Sequence, residues 1–332
     1  MRQLNVLITR PLEEECLRRI AAVSPDIKIW DASDLAAAEK GGDFTSSEKF
    51  DAMLAQAEVL YGFEPPENVI ARAPKLKWFQ TMFAGVDFPP FADILQSPVE
   101  VTNTRGMHGT QASELVFEMM LMFAKQAPLC TQMRREKKWQ RFIPAVLHSK
   151  TVGILGLGSI GKEVARLAKA FRMRVLATRK SATQVTRARY VDMVLPREQL
   201  PLLLSESDFV VNTLPFTPET DKFIGERELR LMKPTAYLIN VGRGRTVDEE
   251  ALIRALDENW IAGAGLDTFA TDPSPLPPES KLWELPNVIF SPHIAGEMET
   301  YNVTATDIFC KNLRRYLSGQ KLFNVVDKKK GY

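Results

Sequence analysis

Three glycines in the middle of the chain have the spacing of a phosphate-binding turn. Gly156, Gly158 and Gly161 follow an apolar run, and the motif passes straight into a helical pattern, with Val164, Ala165, Leu167, Ala168 and Phe171. The first glycine permits a tight turn, the second lets the backbone approach a pyrophosphate, and the third lets the helix pack closely on the strand. The start of the helix adds free N–H groups and the positive end of its dipole. Because a second strand follows the helix, we expect a dinucleotide site; the alternative is a purely structural glycine turn.

Three polar residues follow predicted strands further along the chain. Arg243 lies between two glycines, Asp272 begins a proline-rich loop, and His293 follows a proline. The carboxyl ends of parallel strands meet at one edge of a sheet, so these side chains should face the nicotinamide end of a bound dinucleotide. Hydride transfer to a ketone needs a proton donor, and we expect His293 to fill that role, with Asp272 holding its ring and raising its pKa. Arg243 suits a 2-keto acid, because its guanidinium can reach the carboxylate and the carbonyl oxygen together.

The other two histidines have less informative surroundings. His108 lies near the start of a predicted helix, and His148 lies in a loop before the glycine motif. Either residue could be merely structural, and the sequence leaves their roles open.

The end of the strand after the glycine motif bears on the choice of dinucleotide. An NAD-selective site carries an acidic residue there, which accepts a hydrogen bond from the ribose 2′-hydroxyl. This chain instead has Arg179 and Lys180. Arg179 can pair with a 2′-phosphate and stack on adenine, and Lys180 adds charge. We predict NADP(H) in preference to NAD(H); the alternative is that the two residues form an exposed basic turn.

Alternating strand and helix patterns surround these residues. In the first part of the chain, strands are expected at 5–9, 27–30, 57–62, 77–82 and 99–103, with helices at 12–23 and 47–56. In the second part, seven strands are expected, at 151–155, 174–178, 191–194, 208–214, 236–241, 263–269 and 287–291. Such alternation predicts parallel strands joined by crossover helices. A last helix, 300–317, is expected to cover the first domain.

A long apolar helix is predicted over 109–126, followed by a basic loop, 134–141, that contains Trp139. The apolar face of this helix indicates either core packing or a subunit interface. Periodicity alone does not separate the two.

Length and composition exclude several classes of protein. A chain of 332 residues is too long for one ordinary core and predicts two domains. A formal net charge of +2 argues against nucleic-acid binding, and the lysines at 328–330 are interpreted as a solvated tail. Three scattered cysteines without a CxxC pair predict reduced thiols and no metal site. No signal peptide or membrane-spanning segment is apparent, so we expect a cytoplasmic protein.

Several motifs in a fixed order resemble the D-isomer-specific 2-hydroxyacid dehydrogenase family over nearly the whole chain. They are Leu155-Gly156-Leu157-Gly158-Ser159-Ile160-Gly161, Leu214-Pro215 with Thr217-Pro218-Glu219-Thr220, Met232-Lys233-Pro234, Leu238-Ile239-Asn240-Val241-Gly242-Arg243-Gly244 with Val247-Asp248-Glu249, Gly263-Ala264-Gly265-Leu266-Asp267, and Ser291-Pro292-His293-Ile294-Ala295-Gly296. The resemblance implies an α/β fold with two Rossmann-like domains and doubly wound parallel sheets. It also implies a dinucleotide-binding domain, 104–296, inserted in a flavodoxin-like substrate domain, 1–103 and 297–332.

The resemblance also implies roles for particular residues. Arg243 matches the family's substrate-binding arginine, His293 its acid/base, and Asp267 the carboxylate that holds the nicotinamide amide. The segment Ala84-Gly85-Val86 resembles a loop whose N–H groups bind the substrate carboxylate. The expected cofactor contacts are Gly156, Gly158, Ser159, Ile160, Gly161, Arg179, Lys180, Leu214, Pro215, Val241, Gly242, Asp267 and Gly296.

One position departs from the family pattern. The family usually has a glutamate before the proline of the loop that partners the histidine, and this chain has Asp272 there. Aspartate is shorter by one methylene, about 1.5 Å. Because the charge type survives, we expect activity to remain, with either a shifted backbone or a changed pH optimum.

The family is typically dimeric through the helix that begins near Gly109, so the resemblance implies a homodimer. In some relatives a tryptophan from the partner's arm enters the active site. Trp139 is the candidate for that position in this chain.

The predicted function is the NAD(P)-dependent reduction of a small 2-keto acid, such as glyoxylate or hydroxypyruvate, to the D-2-hydroxy acid. Thr81-Met82-Phe83 is interpreted as an apolar wall beside the substrate's side chain, which disfavours an alternative substrate of the formate or phosphite type. The other alternative is a non-catalytic scaffold that senses the dinucleotide. The presence of Arg243, Asp272 and His293 together argues against a scaffold.

Overall fold

The computed structural model describes residues 3–328, and the chain divides into two compact units. The first unit comprises Met1–Met107 and Met298–Tyr332, and the second comprises His108–Glu297. Along the chain, the second unit therefore interrupts the first.

Strands and helices alternate along the described part of the chain. The strands are β1 Leu4–Ile8, β2 Ile27–Asp31, β3 Val59–Gly62, β4 Trp78–Thr81, β5 Glu100–Thr102, β6 Thr151–Leu155, β7 Arg174–Thr178, β8 Thr186–Ala188, β9 Val191–Leu195, β10 Phe209–Asn212, β11 Tyr237–Asn240, β12 Gly263–Leu266 and β13 Val288–Phe290. The helices are α1 Glu14–Ala21, α2 Ser33–Lys40, α3 Ser47–Leu54, α4 Val69–Arg72, α5 Ala92–Gln96, α6 Gly109–Lys125, α7 Ala127–Arg135, α8 Ser159–Ala170, α9 Leu200–Glu206, α10 Glu226–Leu231, α11 Glu249–Asp257 and α12 Tyr301–Leu317.

The first unit is built on a parallel sheet with the strand order β2-β1-β3-β4-β5. This is the order of flavodoxin-like doubly wound sheets. Strands β3 and β4 are buried along their whole length, as expected of interior strands of a parallel sheet that helices cover. Helix α12 packs on α1, and Phe309 of α12 stacks on Tyr61 of β3 with ring centroids 4.2 Å apart. The last helix therefore belongs to this unit, and the predicted α/β class is confirmed.

The second unit is built on a sheet with the strand order β13-β12-β11-β10-β6-β7-β9-β8. Its strands pair in parallel, except that β8 runs antiparallel to β9 at one edge. The expectation of seven strands was wrong by this one strand. Thr186–Ala188 is exposed at every position and so lacks the apolar residues by which a strand is recognised in a sequence.

The predicted long helix is confirmed as α6, and its apolar face is buried within the second unit. Val116, Met119 and Met120 are fully buried. A Cβ placed on Gly265 of β12 would lie 2.8 Å from the Met119 sulfur, so a glycine is what lets the helix approach the sheet this closely. Core packing therefore accounts for the apolar character of α6.

The segment after α6 differs from the prediction. The expected basic loop, 134–141, begins inside α7, whose side chains are not buried at any position. Helix α7 contains few large apolar residues and ends in two arginines, Arg134 and Arg135, so its sequence resembles that of a solvated loop. Trp139 and Ile143 follow α7 and are 94% and 95% exposed.

A membrane-spanning helix is absent from residues 3–328, because none of their helices combines the required length and hydrophobicity. The three cysteines are free thiols. The interpretation of a solvated lysine tail was wrong for Lys328, because its Nζ donates to the carbonyl oxygens of Ile94, Ser97 and Val99. Lys329 and Lys330 lie outside the described residues.

Candidate active site

The turn after β6 leaves room for a phosphate to approach its backbone. Gly156 has a φ of +93°, which glycine adopts without a steric cost. A Cβ on Gly161 would lie 2.2 Å from the carbonyl oxygen of Gly156, so the third glycine permits the close packing of α8. A Cβ on Gly158 would meet no atom within 4 Å, so the backbone there faces open space. Helix α8 begins at Ser159 without a side-chain cap, which leaves its first N–H groups available. The turn therefore fits the pyrophosphate of a dinucleotide.

Two further loops pack beside this turn. The Thr213 hydroxyl, after β10, donates to the carbonyl oxygen of Gly156 at 2.8 Å. A Cβ on Gly242, after β11, would lie 2.6 Å from the carbonyl oxygen of Leu214. The carboxyl ends of three neighbouring strands therefore meet, as the sequence predicts. Of the residues expected to contact the cofactor here, Leu214 is half-buried, Pro215 is exposed, and Val241 and Gly242 are buried.

The two basic residues after β7 are exposed and differ in their partners. The Nζ of Lys180 lies 2.6 Å from a carboxylate oxygen of Glu219, in the loop after β10. Its charge is therefore already opposed by a carboxylate, which the sequence did not predict. Arg179 forms no ion pair with any residue of the described range 3–328. Of the two cations, Arg179 is the one that is free to meet a phosphate.

Arg243 follows β11 between two tightly packed glycines. A Cβ on Gly244 would lie 1.9 Å from the carbonyl group of Phe269, so no larger residue fits there. The Phe269 N–H in turn donates to the Asp272 carboxylate at 3.0 Å. The loop that carries Arg243 therefore lies directly against the loop that carries Asp272.

His293 and Asp272 form the pair that the sequence predicts. The Nδ1 of His293 lies 3.3 Å from the Asp272 carboxylate, and the His293 side chain is 39% exposed. This hydrogen bond raises the pKa of His293, while burial acts in the opposite direction. His293 adopts a φ of +54°, in the left-handed region where histidine is enriched among non-glycine residues. Asp272 therefore reaches the His293 ring, although aspartate is one methylene shorter than the glutamate that is usual in the family.

Asp267 supports the loop that carries His293. Its side chain is fully buried at the end of β12. One carboxylate oxygen accepts hydrogen bonds from the Ser291 hydroxyl at 2.7 Å and the Ile294 N–H at 2.8 Å, and the other accepts from the Ala295 N–H at 3.0 Å. Both oxygens are therefore engaged by the 291–295 loop, which the sequence did not predict.

His108 also lies in this region, at the start of α6. Its ring carbon Cδ2 would be 3.1 Å from a Cβ on Gly296, three residues after His293. Burial, with a smaller contribution from the positive charge of Arg243, lowers the pKa of His108 to about 4. His108 is therefore neutral at neutral pH. The sequence left the role of His108 open. In the structure the next residue, Gly109, packs against the start of α8, and a glycine at this position was the sequence signal of such close packing.

In the first unit, the Ala84-Gly85-Val86 loop follows β4. The Ala84 carbonyl accepts a hydrogen bond from the Asn103 amide at 2.7 Å, and Val86 is buried in the core. Within residues 3–328, the backbone N–H groups of Ala84, Gly85 and Val86 donate to no protein acceptor. This loop therefore presents unpaired donors.

The interpretation of Thr81-Met82-Phe83 as an apolar wall was wrong for two of the three residues. Thr81 and Met82 are fully buried, and the Thr81 hydroxyl donates to the carbonyl oxygen of Phe63. Phe83 alone is partly exposed, and its ring packs on Phe63 with centroids 4.7 Å apart. Because β4 ends at Thr81, the alternation of the strand carries Met82 into the core.

Known proteins resemble this chain over its whole length. The model of the D-isomer specific 2-hydroxyacid dehydrogenase NAD binding domain matches residues 117–295. The chain is 33% identical to a glyoxylate reductase of Thermococcus litoralis, over 98% of this chain and 97% of that protein.

Two solved structures have the same fold. One is a D-isomer specific 2-hydroxyacid dehydrogenase from Xanthobacter autotrophicus Py2 in complex with NADPH and MES, with 28% identity, a TM-score of 0.82 and coverage of 100% of both chains. The other is an NADPH-dependent glyoxylate/hydroxypyruvate reductase from Sinorhizobium meliloti in complex with NADP and sulfate, with 25% identity and a TM-score of 0.82. That alignment covers 99% of this chain and 100% of the other.

The match to the family model and the near full-length similarity to the curated relative agree with the ordered motifs of the sequence. The chain belongs to the D-isomer specific 2-hydroxyacid dehydrogenase family.

Proposed function

We propose that this protein reduces a small 2-keto acid, of the glyoxylate or hydroxypyruvate type, to the D-2-hydroxy acid with a nicotinamide dinucleotide. The family supports the general reaction, an oxidoreduction of 2-hydroxy acids. The observation that carries the proposal is the His293–Asp272 pair, 3.3 Å apart, in a loop system that also holds Arg243.

His293 is the proposed proton donor. Its Nδ1 is engaged by Asp272, which leaves Nε2 to give a proton to the oxygen of the keto group as that oxygen gains negative charge. The same nitrogen takes the proton back in the direction of oxidation. Asp272 holds the ring in this orientation and favours its protonated form.

Arg243 and the Ala84-Gly85-Val86 loop are the proposed binding groups for the substrate. The Arg243 guanidinium can bind a carboxylate and polarise the adjacent carbonyl. The unpaired N–H groups of the Ala84 loop suit a carboxylate oxygen, which accepts several hydrogen bonds.

The glycine turn and the start of α8 are the proposed binding site for the dinucleotide, with Leu214, Pro215, Val241, Gly242 and Gly296 beside it. When bound, the dinucleotide supplies the hydride. Asp267 is proposed, as the family resemblance implies, to accept a hydrogen bond from the nicotinamide amide. Its carboxylate also positions the 291–295 loop, and three accepted hydrogen bonds leave a carboxylate further acceptor capacity.

NADP(H) is the proposed preferred form, and Arg179 is its main determinant. A guanidinium can form a paired hydrogen bond with a 2′-phosphate, whereas Lys180 is opposed by Glu219. NADPH in one relative's crystal and the NADPH dependence named for another support this preference. We expect Arg179→Ala to raise the KM for NADPH about tenfold and leave the KM for NADH nearly unchanged. Lys180→Ala is the matched control, and we expect it to raise the KM for NADPH less than Arg179→Ala does.

A homodimer is proposed, with α7 and the segment after it as its arm. The exposed side chains of Trp139 and Ile143 are large and apolar, and such surfaces mark contacts between proteins. Light scattering coupled to gel filtration tests this proposal. A dimer that dissociates on Trp139→Ala or Ile143→Ala supports it, and a monomeric wild type contradicts it.

Initial rates test the reaction. NADPH and NADH oxidation would be measured with glyoxylate, hydroxypyruvate and phenylpyruvate, in wild type and in His293→Ala. Turnover with NADPH that is lost in the variant supports the proposal. Turnover with NADH alone contradicts the cofactor preference. Tight dinucleotide binding without turnover of any of the three acids contradicts the reaction and favours the scaffold.

A further inference from the structure

A buried polar network joins the ends of β10 and β11. Its members are Asn212, the last residue of β10; Asn240, the last residue of β11; and Thr246, three residues after Arg243. Asn212 and Asn240 lie opposite each other in the sheet register. All three side chains are 0–1% exposed, so their polar groups depend on one another for hydrogen bonds.

The network converges on the backbone of Arg243. The amide of Asn212 donates to the side-chain oxygen of Asn240 at 3.0 Å and to the Thr246 hydroxyl at 2.6 Å. The Thr246 hydroxyl and the Asn240 amide then donate to the Arg243 carbonyl oxygen, at 2.5 and 3.2 Å. The Thr246 N–H is a third donor to the same oxygen, at 3.1 Å. One backbone carbonyl therefore accepts three hydrogen bonds.

The network also holds the residues before Arg243 and the neighbouring loop. The side-chain oxygen of Asn240 accepts from the Gly242 N–H at 3.1 Å. The side-chain oxygen of Asn212 accepts from the Leu214 N–H at 3.2 Å. The two asparagines thus connect a loop proposed to bind the dinucleotide with the loop proposed to bind the substrate.

Arg243 needs such support, because it lies between Gly242 and Gly244. Glycines increase the number of backbone conformations that a loop can adopt, and a guanidinium on a freely moving loop would lose more entropy on binding a substrate. We propose that Asn212, Asn240 and Thr246 are positioning residues that fix the Arg243 backbone in its binding conformation. This inference rests on the proposed function for the assignment of Arg243 to the substrate.

The test compares two substitutions at Thr246. Thr246→Val keeps the shape and removes the hydroxyl, and Thr246→Ser keeps the hydroxyl. We expect Thr246→Val to raise the KM for glyoxylate about tenfold, equivalent to about 1.4 kcal/mol, with kcat changed by less than about twofold. Thr246→Ser should retain a KM within about twofold of wild type.

Thr306→Val is the matched control. Its hydroxyl is also fully buried and shares a hydrogen bond with Tyr61, but it lies in the first unit on α12. We expect it to lower the melting temperature as Thr246→Val does and to leave the KM for glyoxylate unchanged. A KM that rises equally in both variants would overturn the inference, because the effect would then be one of general stability.

A second readout does not depend on turnover. Hydrogen exchange of the 242–247 backbone should be faster in Thr246→Val than in wild type and Thr246→Ser, and the affinity for oxalate should fall about tenfold. A wild type that turns over no 2-keto acid would contradict the proposed function. Unchanged exchange over 242–247 in Thr246→Val would overturn the positioning role, whether or not the enzyme is active.

Discussion

Two histidines of the second unit, His108 and His293, have surroundings that drive their pKa values in opposite directions. His293 pairs with Asp272, and this hydrogen bond raises its pKa. His108 is buried near the positive charge of Arg243, and its pKa is lowered to about 4. At neutral pH, His293 is therefore the better holder of a proton. The comparison teaches that a nearby carboxylate, and not the presence of a histidine alone, decides which ring in this region can act as an acid.

The largest expected effect is that of removing the proton donor. We expect His293→Asn to lower kcat for glyoxylate reduction about 10³-fold, within the range that a positioned general acid contributes. Asparagine tolerates the left-handed backbone at this position, so the loss reports on the ring rather than on the turn. The measurement is single-turnover NADPH oxidation, with the melting temperature as the control for folding. A loss below tenfold would contradict the assignment of His293.

Removing the Asp272 carboxylate should lower the pKa of His293, in the direction of the lowered pKa of His108. Reduction needs protonated His293, which is present below its pKa and lost as the pH rises through it. Asp272→Asn removes the main cause of the raised pKa, so the alkaline limb of the pH profile of kcat/KM should move to lower pH. We expect the rate at pH 7 to fall about 30-fold.

Asp272→Glu is the matched variant for this prediction. It keeps the charge and should keep the limb near its wild-type position. An unchanged pH profile of kcat/KM in Asp272→Asn would show that Asp272 does not set the pKa of the proton donor.

A smaller effect is expected from a change at the contact between Gly296 and the His108 ring. Gly296→Ala would place a Cβ 3.1 Å from the His108 ring, so the ring or the 293–296 loop has to move by a few tenths of an ångström. We expect kcat/KM for glyoxylate to fall about tenfold, because small displacements of catalytic groups are costly. The combined Gly296→Ala and His108→Ala variant should recover part of the loss, and no recovery would exclude the ring as the cause.

The smallest effect is expected at His108 itself. A neutral ring has no proton to give at pH 7, so His108→Asn should change kcat/KM by less than about threefold, or about 0.7 kcal/mol. The pH profile should keep its shape. His148→Asn is the control, since that side chain is exposed and pairs with Ser149. A shift of the alkaline limb in His108→Asn would mean that the protonation of His108 also contributes to the pH dependence of kcat/KM.

Much of the fold could be predicted, because strands of a parallel sheet are continuous apolar runs with glycine and charge between them. The β6 strand and its glycine turn are the clearest case. Exposed elements escaped prediction for the opposite reason: β8 has no buried residue, and neither does α7. Strand ends were predicted too long, since apolar residues continue past the last residue of a strand, as Met82 does after β4.

The residues of the candidate site could be predicted from the sequence, but the contacts between their side chains could not. The order of motifs indicated that Arg243, Asp272 and His293 lie at neighbouring strand ends. The sequence did not indicate that Asp267 binds the 291–295 loop with both carboxylate oxygens, or that Lys180 pairs with Glu219. Such pairings depend on side-chain directions and on residues far apart in the chain, which spacing in the sequence does not encode.

Titration of the histidine rings by NMR tests the central claim most directly. The chain has three histidines, so the ring signals of His108, His148 and His293 can be assigned by substitution and followed with pH. The account predicts that His293 titrates above the usual histidine pKa of 6.5, that His108 stays neutral until about pH 4, and that kcat/KM falls with the titration of His293. A pH dependence of kcat/KM that follows another group, or a His293 that titrates below 6.5, would contradict the account.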